Sequence, residues 1–291
     1  MIKKISLLFL CLGFFMACQQ KPTKVFETVP TKAHENGEEI KITENTVILD
    51  ARPAFDYAVA HLNGALNVRP EDFTQKEMPF IGLLEKDLFY HARRLARMGI
   101  GPETPVVVVG RGPMGIGEEG RVAWTLRYMG VRHVQFVAID YFELPLTTVE
   151  APPRASVPMW KPELDESLIV DRTQFIKESI KAKGYADPPV VIDVRPVKEY
   201  LGKVRSPYFR TSPDIGAINI PWDEFFDSKG LPNAGIRKKL EEVHITAEKK
   251  ILVIANIGIE SAAVTLALRD LGYHRAANFA GGYLELVNLK K

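Results

Sequence analysis

Cysteine is confined to the start of the chain: Cys11 and Cys18 are the two in 291 residues, and no thiol follows Gln19. That excludes a disulfide framework, a thiolate metal site and thiol catalysis from everything downstream. Charge of one sign is equally scarce, since 38 Lys and Arg are interspersed with 36 Asp and Glu for a formal net charge of +2. There is no basic run and no interleaved stacking aromatics, so nucleic acid is not expected as a partner. The six histidines, His34, His61, His91, His133, His244 and His274, show no ligand spacing, so no metal site is expected. The remaining composition, 46% hydrophobic and 25% charged, is that of a globular protein whose core forms without staples.

The amino terminus reads as an address. Lys3 and Lys4 precede an apolar stretch from Ile5 to Met16 that is too short for a stable bilayer span. Phe15-Met16-Ala17-Cys18 resembles a bacterial lipobox, which implies cleavage after residue 17 and lipidation of Cys18. Residues 1–17 are thus expected to be a signal peptide and 18–38 a polar tether, with membrane lipid engaged through Cys18. An exported bacterial lipoprotein of the cell envelope follows. In a source with two membranes, Gln19 favours the outer one, facing the periplasm.

An internal repeat sets the architecture. VILDARPAFDYAVAHLNGALNV, from Val47, is echoed about 143 residues later by VVIDVRPVKEY, an insertion, and SPDIGAINI. Downstream, PVVVVG pairs with KILVIAN, and TLRYMGVRHVQF with ALRDLGYHRAANF. Continuous apolar runs followed by a helix that ends at Gly130 or Gly272 indicate parallel strands buried on both faces. Two α/β domains are expected, at 39–146 and 166–291, joined by a proline-rich linker over 147–165.

These residues resemble the tandem form of the rhodanese family over nearly the whole chain after residue 40. Asp50-x-Arg52 with His61-x-x-Gly64-Ala65 resembles the family's first signature, and Asp193-x-Arg195 with Tyr200, Gly202 and Gly216-Ala217 resembles it in the second copy. The resemblance implies two rhodanese-like domains, each a central, mostly parallel sheet flanked by helices. It also implies a catalytic loop in the second domain, usually Cys-x-x-Gly-x-Arg, whose cysteine carries a sulfane sulfur as a persulfide. Loop amides and the helix dipole stabilise the anionic sulfur there, and the arginine holds the anionic donor.

Here the cysteine position falls on Asn256 and the arginine position on Glu260, in the loop Asn256-Ile257-Gly258-Ile259-Glu260-Ser261. An amide forms no persulfide. A carboxylate about 4 Å from an anionic donor repels it by about 4 kcal/mol at an effective dielectric near 20. No catalytic residue is therefore assigned. Three readings stay open: Glu260 occupies the anion site at the start of the helix; Asn256 and Glu260 hold a neutral or cationic ligand; or Glu260 acts as general base with Asn256 as oxyanion donor. The lead function is a binding or scaffolding module without sulfurtransferase activity. An envelope protein partner could engage the insertion Leu201–Asp214, whose Pro213 stands where the first copy has His61.

Elsewhere the motifs read as structural. Gly110-x-Gly112-x-x-Gly115 after a strand, with Asp140 ending the next strand, mimics a dinucleotide fingerprint, but the chain keeps turning through Gly117 and Gly120 before Arg121. No nucleotide or other cofactor is expected. The repeat sets Gly110 against Asn256, and Arg121-Val122-Ala123-Trp124 matches the helix typical of a non-catalytic first domain in the family. Asp50 and Asp193 are expected to tie their loops to the backbone, Arg52 and Arg195 to ion-pair within their own domains, and His61 to bond the turn before Gly64-Ala65.

Overall fold

The computed structural model describes residues 39–180 and 187–288. In the first half the order is β1 (Val47–Asp50), α1 (Ala54–Val59), β2 (His61–Leu62), β3 (Leu66–Asn67), α2 (Leu88–Arg97), β4 (Val106–Gly110), α3 (Glu118–Tyr128), β5 (Val134–Ala138) and β6 (Leu146–Thr147). Residues 148–165 form neither helix nor strand. The second half follows with α4 (Arg172–Phe175), β7 (Val190–Asp193), α5 (Val197–Tyr200), β8 (Ile218–Asn219), α6 (Ile236–Glu242), β9 (Ile251–Ile254), α7 (Glu260–Asp270), β10 (Ala276–Asn278) and α8 (Gly282–Asn288).

Each half builds a four-stranded parallel sheet, in the orders β3-β1-β4-β5 and β8-β7-β9-β10, so the sequence repeat is also a repeat of topology. A small antiparallel pair, β2 with β6, ties His61 to Thr147 and closes the first half.

The continuous apolar runs are explained by two-sided burial. In β4, Val106 and Val108 face a core shared by both halves, while Val107 and Val109 face a separate outer core under Tyr141 and Phe142. In β9, Ile251 and Val253 join the shared core, and Leu252 and Ile254 pack outward with Phe175 and Phe279. With a side-chain period of two, a strand covered on both faces must be apolar at every position.

Between the sheets lie α3 and α7, packed against each other. Both are buried nearly all round, because each has its own sheet on one side and the opposite helix on the other. Gly120 makes the approach possible: a β-carbon there would lie 2.7 Å from Ala263 Cα. An Arg127–Asp270 ion pair at 2.8 Å spans the far ends of the two helices. Trp124, fully buried, stacks on Tyr128 and donates its indole N–H to the Leu168 carbonyl at 3.2 Å. The expected two-domain architecture is therefore present, but the two cores are one body at this seam.

Gly120→Ala is expected to destabilise the protein by about 1–3 kcal/mol, the usual cost of forcing an atom into a filled contact. Urea denaturation of the variant beside the wild type measures it.

Candidate functional site

The two Asp-x-Arg turns are built alike. Asp50 accepts the Arg52 amide and holds its guanidinium at 2.7 Å, and Asp193 does the same for Arg195 at 2.6 Å. Asn67 and Asn219 each donate to the carbonyls of both residues of their own turn. The turn at Gly64-Ala65 is held by Tyr57, whose hydroxyl donates to the Ala65 carbonyl, as Tyr200 does to Ala217. His61 differs from its expected role. It stacks on the Tyr57 ring, and its ring nitrogens meet the carbonyls of Tyr57 and Val149 rather than the turn it was expected to bond.

The strand registers correct the alignment of the two loops. Asp50 pairs with Val109, and Asp193 with Ile254, so Gly110 corresponds to Ala255 and Arg111 to Asn256. The connection from strand to helix is Gly110–Gly117 in the first half and Ala255–Ile259 in the second, three residues shorter. The one-position offset comes from matching the ends of PVVVVG and KILVIAN, runs of six and seven residues.

With the register corrected, a shared device appears. Arg111 donates to Asp56 at 2.6 Å, and Asn256 Nδ2 donates to Glu199 Oε2 at 2.8 Å. Asp56 and Glu199 occupy matching places on α1 and α5, just after the Asp-x-Arg-Pro turns. Sequence reasoning missed Glu199, although aligning RPAFDY with RPVKEY sets it opposite Asp56.

Asn256 is 5% exposed, and its Oδ1 has no hydrogen-bond donor among the described residues. The carboxylate of Glu199 accepts, so the amide must turn its NH2 toward it and leave Oδ1 on the other side. Gly258, at φ +76°, packs so closely on Ala280 that a β-carbon there would lie 2.6 Å from the Ala280 carbonyl carbon. Its own carbonyl accepts from Arg121 Nη1 at 2.8 Å, while Nη2 donates to Gly82 at 2.8 Å. Arg121, a domain-1 residue, thus clamps the domain-2 loop. Burial draws its guanidinium down to about 9, which keeps it charged at neutral pH.

Helix α7 begins at Glu260. The Ser261 hydroxyl is fully buried and donates to Asn278 Oδ1 at 2.7 Å, so it serves the sheet rather than the loop. Glu260 accepts its own amide, and its buried Oε2 takes no donor among the described residues. Burial, then the nearby charges of Glu199, Glu118 and Asp193, push its carboxyl up to about 7. Glu119, 3% exposed and packed over Gly110, is pushed by burial up to about 8.

A cavity of about 280 Å³ adjoins the loop at the seam, lined by Thr74, Ile81 and Arg121 from one half and Tyr208, Ile257 and Ile259 from the other. Tyr208 and Phe209, from the insertion, pack against Ile257, Ile259 and Leu284. The tip of the same insertion leaves Leu201 and Val204 half exposed. Among the described residues no three His, Cys, Asp or Glu side chains are grouped to hold a metal ion.

The model of the rhodanese-like domain matches twice, over residues 32–143 and 175–289, more than half of the chain. The chain belongs to the rhodanese family. A thiosulfate sulfurtransferase of Pseudomonas aeruginosa is 27% identical over 257 residues, 83% of this chain and 88% of that protein. A human 3-mercaptopyruvate sulfurtransferase is 23% identical, with 81% of this chain and 79% of the relative covered. Among solved structures, SseA from Escherichia coli superposes with a TM-score of 0.67 at 20% identity, covering 82% of this chain and 93% of that one. EanB reaches 0.72 at 18% identity, with 87% of this rhodanese aligned to 64% of the longer chain, so this chain spans just under two thirds of it. At these identities the structural likeness is one of fold.

Glu119 and Glu260 both carry folded-state values above the usual 4.5 of a glutamate. The stability this contributes is fully present below the unfolded value and is lost as pH rises through about 7 to 8. Unfolding free energy should therefore fall between pH 5.5 and 8.5. Glu119→Gln should remove up to about 1.4 kcal/mol of that loss per pH unit, as read by denaturant titration across the range.

Proposed function

We propose that this rhodanese-family protein performs no sulfur transfer through a cysteine persulfide and instead serves as a binding or scaffolding module in the cell envelope. The observation that carries the reading is Asn256. It follows the strand where the family's resemblance calls for the sulfur nucleophile, it is almost wholly buried, and its amide is spent on Glu199. An amide nitrogen so held can neither accept nor release a sulfane sulfur. The loop is also tied at the Gly258 carbonyl by Arg121, and an ionised Glu260 opposes an anionic donor beside it.

The reading with Glu260 as general base has one observation in its favour, a carboxyl near 7, where a base is most effective at neutral pH. Its second member is compromised. Asn256 commits one amide N–H to Glu199 and its Oδ1 is an acceptor, so at most one N–H is left for a developing oxyanion.

Export and lipid attachment at Cys18 belong to the same proposal, and the residues concerned, 1–38, lie outside those described. Among the described residues no helix is long and apolar enough to cross a membrane.

Protein lacking residues 1–18 is expected to form no thiocyanate from thiosulfate and cyanide above the uncatalysed rate. Turnover above background that survives Asn256→Ala would overturn the reading. For the anchor, mass spectrometry of the membrane fraction should find a mature chain beginning at an acylated Cys18, and an unmodified Cys18 in that fraction would refute it.

A further inference from the structure

The first short helix has an outer face without polar residues. In α1 the outward positions are Ala54, Phe55, Ala58 and Val59, four apolar residues at the spacing of one helical face. None is buried, and Phe55 is 77% exposed. The repeat makes that composition informative, because the matching helix α5 sets Lys198 where α1 has Phe55. Exposed apolar residues are ordinary one at a time, whereas a face made wholly of them marks a contact surface.

Neighbouring elements extend the surface. The Arg111–Asp56 ion pair at 2.6 Å ties α1 to the Gly110–Gly117 connection, in which Met114 is 88% exposed. Just past the end of α1, His61 stacks on Tyr57 and its ring meets the carbonyl of Val149, a further exposed apolar residue. Charge around the face is close to balanced: Arg111 cancels Asp56, Lys41 lies 3.2 Å from Glu39, and Glu150 borders Val149. The chain also enters the fold at this place. Ile40 donates its amide to the Tyr141 hydroxyl at 3.1 Å, and Ile40 and Ile42 share the outer core under Tyr141 and Phe142 with Tyr57 of α1. Residues 18–38, which precede that entry, can span at most about 75 Å.

We infer that this face, Phe55 and Val59 of α1 with Met114 beside them, docks on a lipid bilayer, its apolar side chains entering the boundary between headgroups and acyl chains while the Arg111–Asp56 pair stays among the headgroups. The inference rests on the proposed attachment at Cys18 and adds the orientation of the folded part on the membrane. Two arguments favour a bilayer as the occupant. A chain anchored by a segment that enters beside the face makes docking an intramolecular event, so a small apolar contact that would be weak between free molecules suffices. Shallow burial of a few large apolar side chains beside polar groups is also how interfacial elements bind. With no excess of Lys and Arg around the face, the binding does not depend on anionic lipid.

Spin labels on the full chain, extracted with its anchor and reconstituted in phosphatidylcholine vesicles, test this. Acylation would block Cys18, and Cys11 leaves with residues 1–17, so Phe55→Cys or Met114→Cys supplies the free thiol of the mature chain. Labels at 55 and 114 are expected to be reached by oxygen, which concentrates in lipid, in preference to an aqueous nickel chelate, and a label at Lys198→Cys is expected to show the reverse. A label at 55 that meets the chelate as freely as the one at 198 overturns the inference. So does a label shielded from both reagents, because protein rather than lipid then covers the face. Mass spectrometry of Cys18 reads the parent proposal separately. Should Cys18 be unmodified, protein lacking residues 1–18 decides with the same vesicles. It should sediment with them, and Phe55→Asp, at an exposed position that leaves the fold intact, should weaken binding at least about tenfold, as loss of one buried Phe side chain requires. No sedimentation of the unsubstituted protein, or equal sedimentation of the variant, overturns the docking face.

Discussion

The contact of α3 with α7 is the constraint on which the site depends. Gly120 lets the helices approach until Ala263 fills the space a side chain would take, and the two sheets then share one core. At that distance Arg121, carried by α3, reaches past its own domain to the carbonyl of Gly258. A guanidinium pays a high desolvation cost in such a position, and fixed carbonyl acceptors with the Trp124 ring below it are what offset that cost. The geometry of the loop is therefore a property of the pair of domains rather than of the second one.

Within that frame the two halves answer the same problem with different residues. Each opens a helix with an acid, Glu118 or Glu260, and each sends the residue two places beyond its central strand's Asp-paired position toward an acid on the short helix. In the first half the pair is an exposed Arg111–Asp56 ion pair, neutral as a unit. In the second it is Asn256–Glu199, which leaves the negative charge of the glutamate uncancelled and one amide oxygen unpaired. The two loops thus differ in the charge they present.

The fold was legible because strand burial leaves a strong mark. VVVVG and ILVI are apolar at every position, and the shared Asp-x-Arg-Pro turns place the halves on one another. The loop alignment was less legible. Gly110 was set against Asn256 by matching the ends of PVVVVG and KILVIAN, runs of six and seven residues, whereas the strand registers pair Gly110 with Ala255. Glu199 was hidden for a different reason: an acid on a short, exposed helix looks like any solvated charge until its partner, 57 residues away, is known.

The sequence alone determined that no thiol follows Cys18 and that the chain repeats, and the family resemblance sets Asn256 and Glu260 where a sulfur and a cation would be expected. Those are statements about which atoms exist. Tertiary structure decided what the atoms face: that Glu199 takes the Asn256 amide and leaves its oxygen free, that Arg121 seizes Gly258 from 137 residues away, and that Ser261 turns to the sheet. Hydrogen bonds of that span depend on how two separate sheets dock. No local pattern along the chain encodes the docking, and so the polarity of the site became visible in the folded protein.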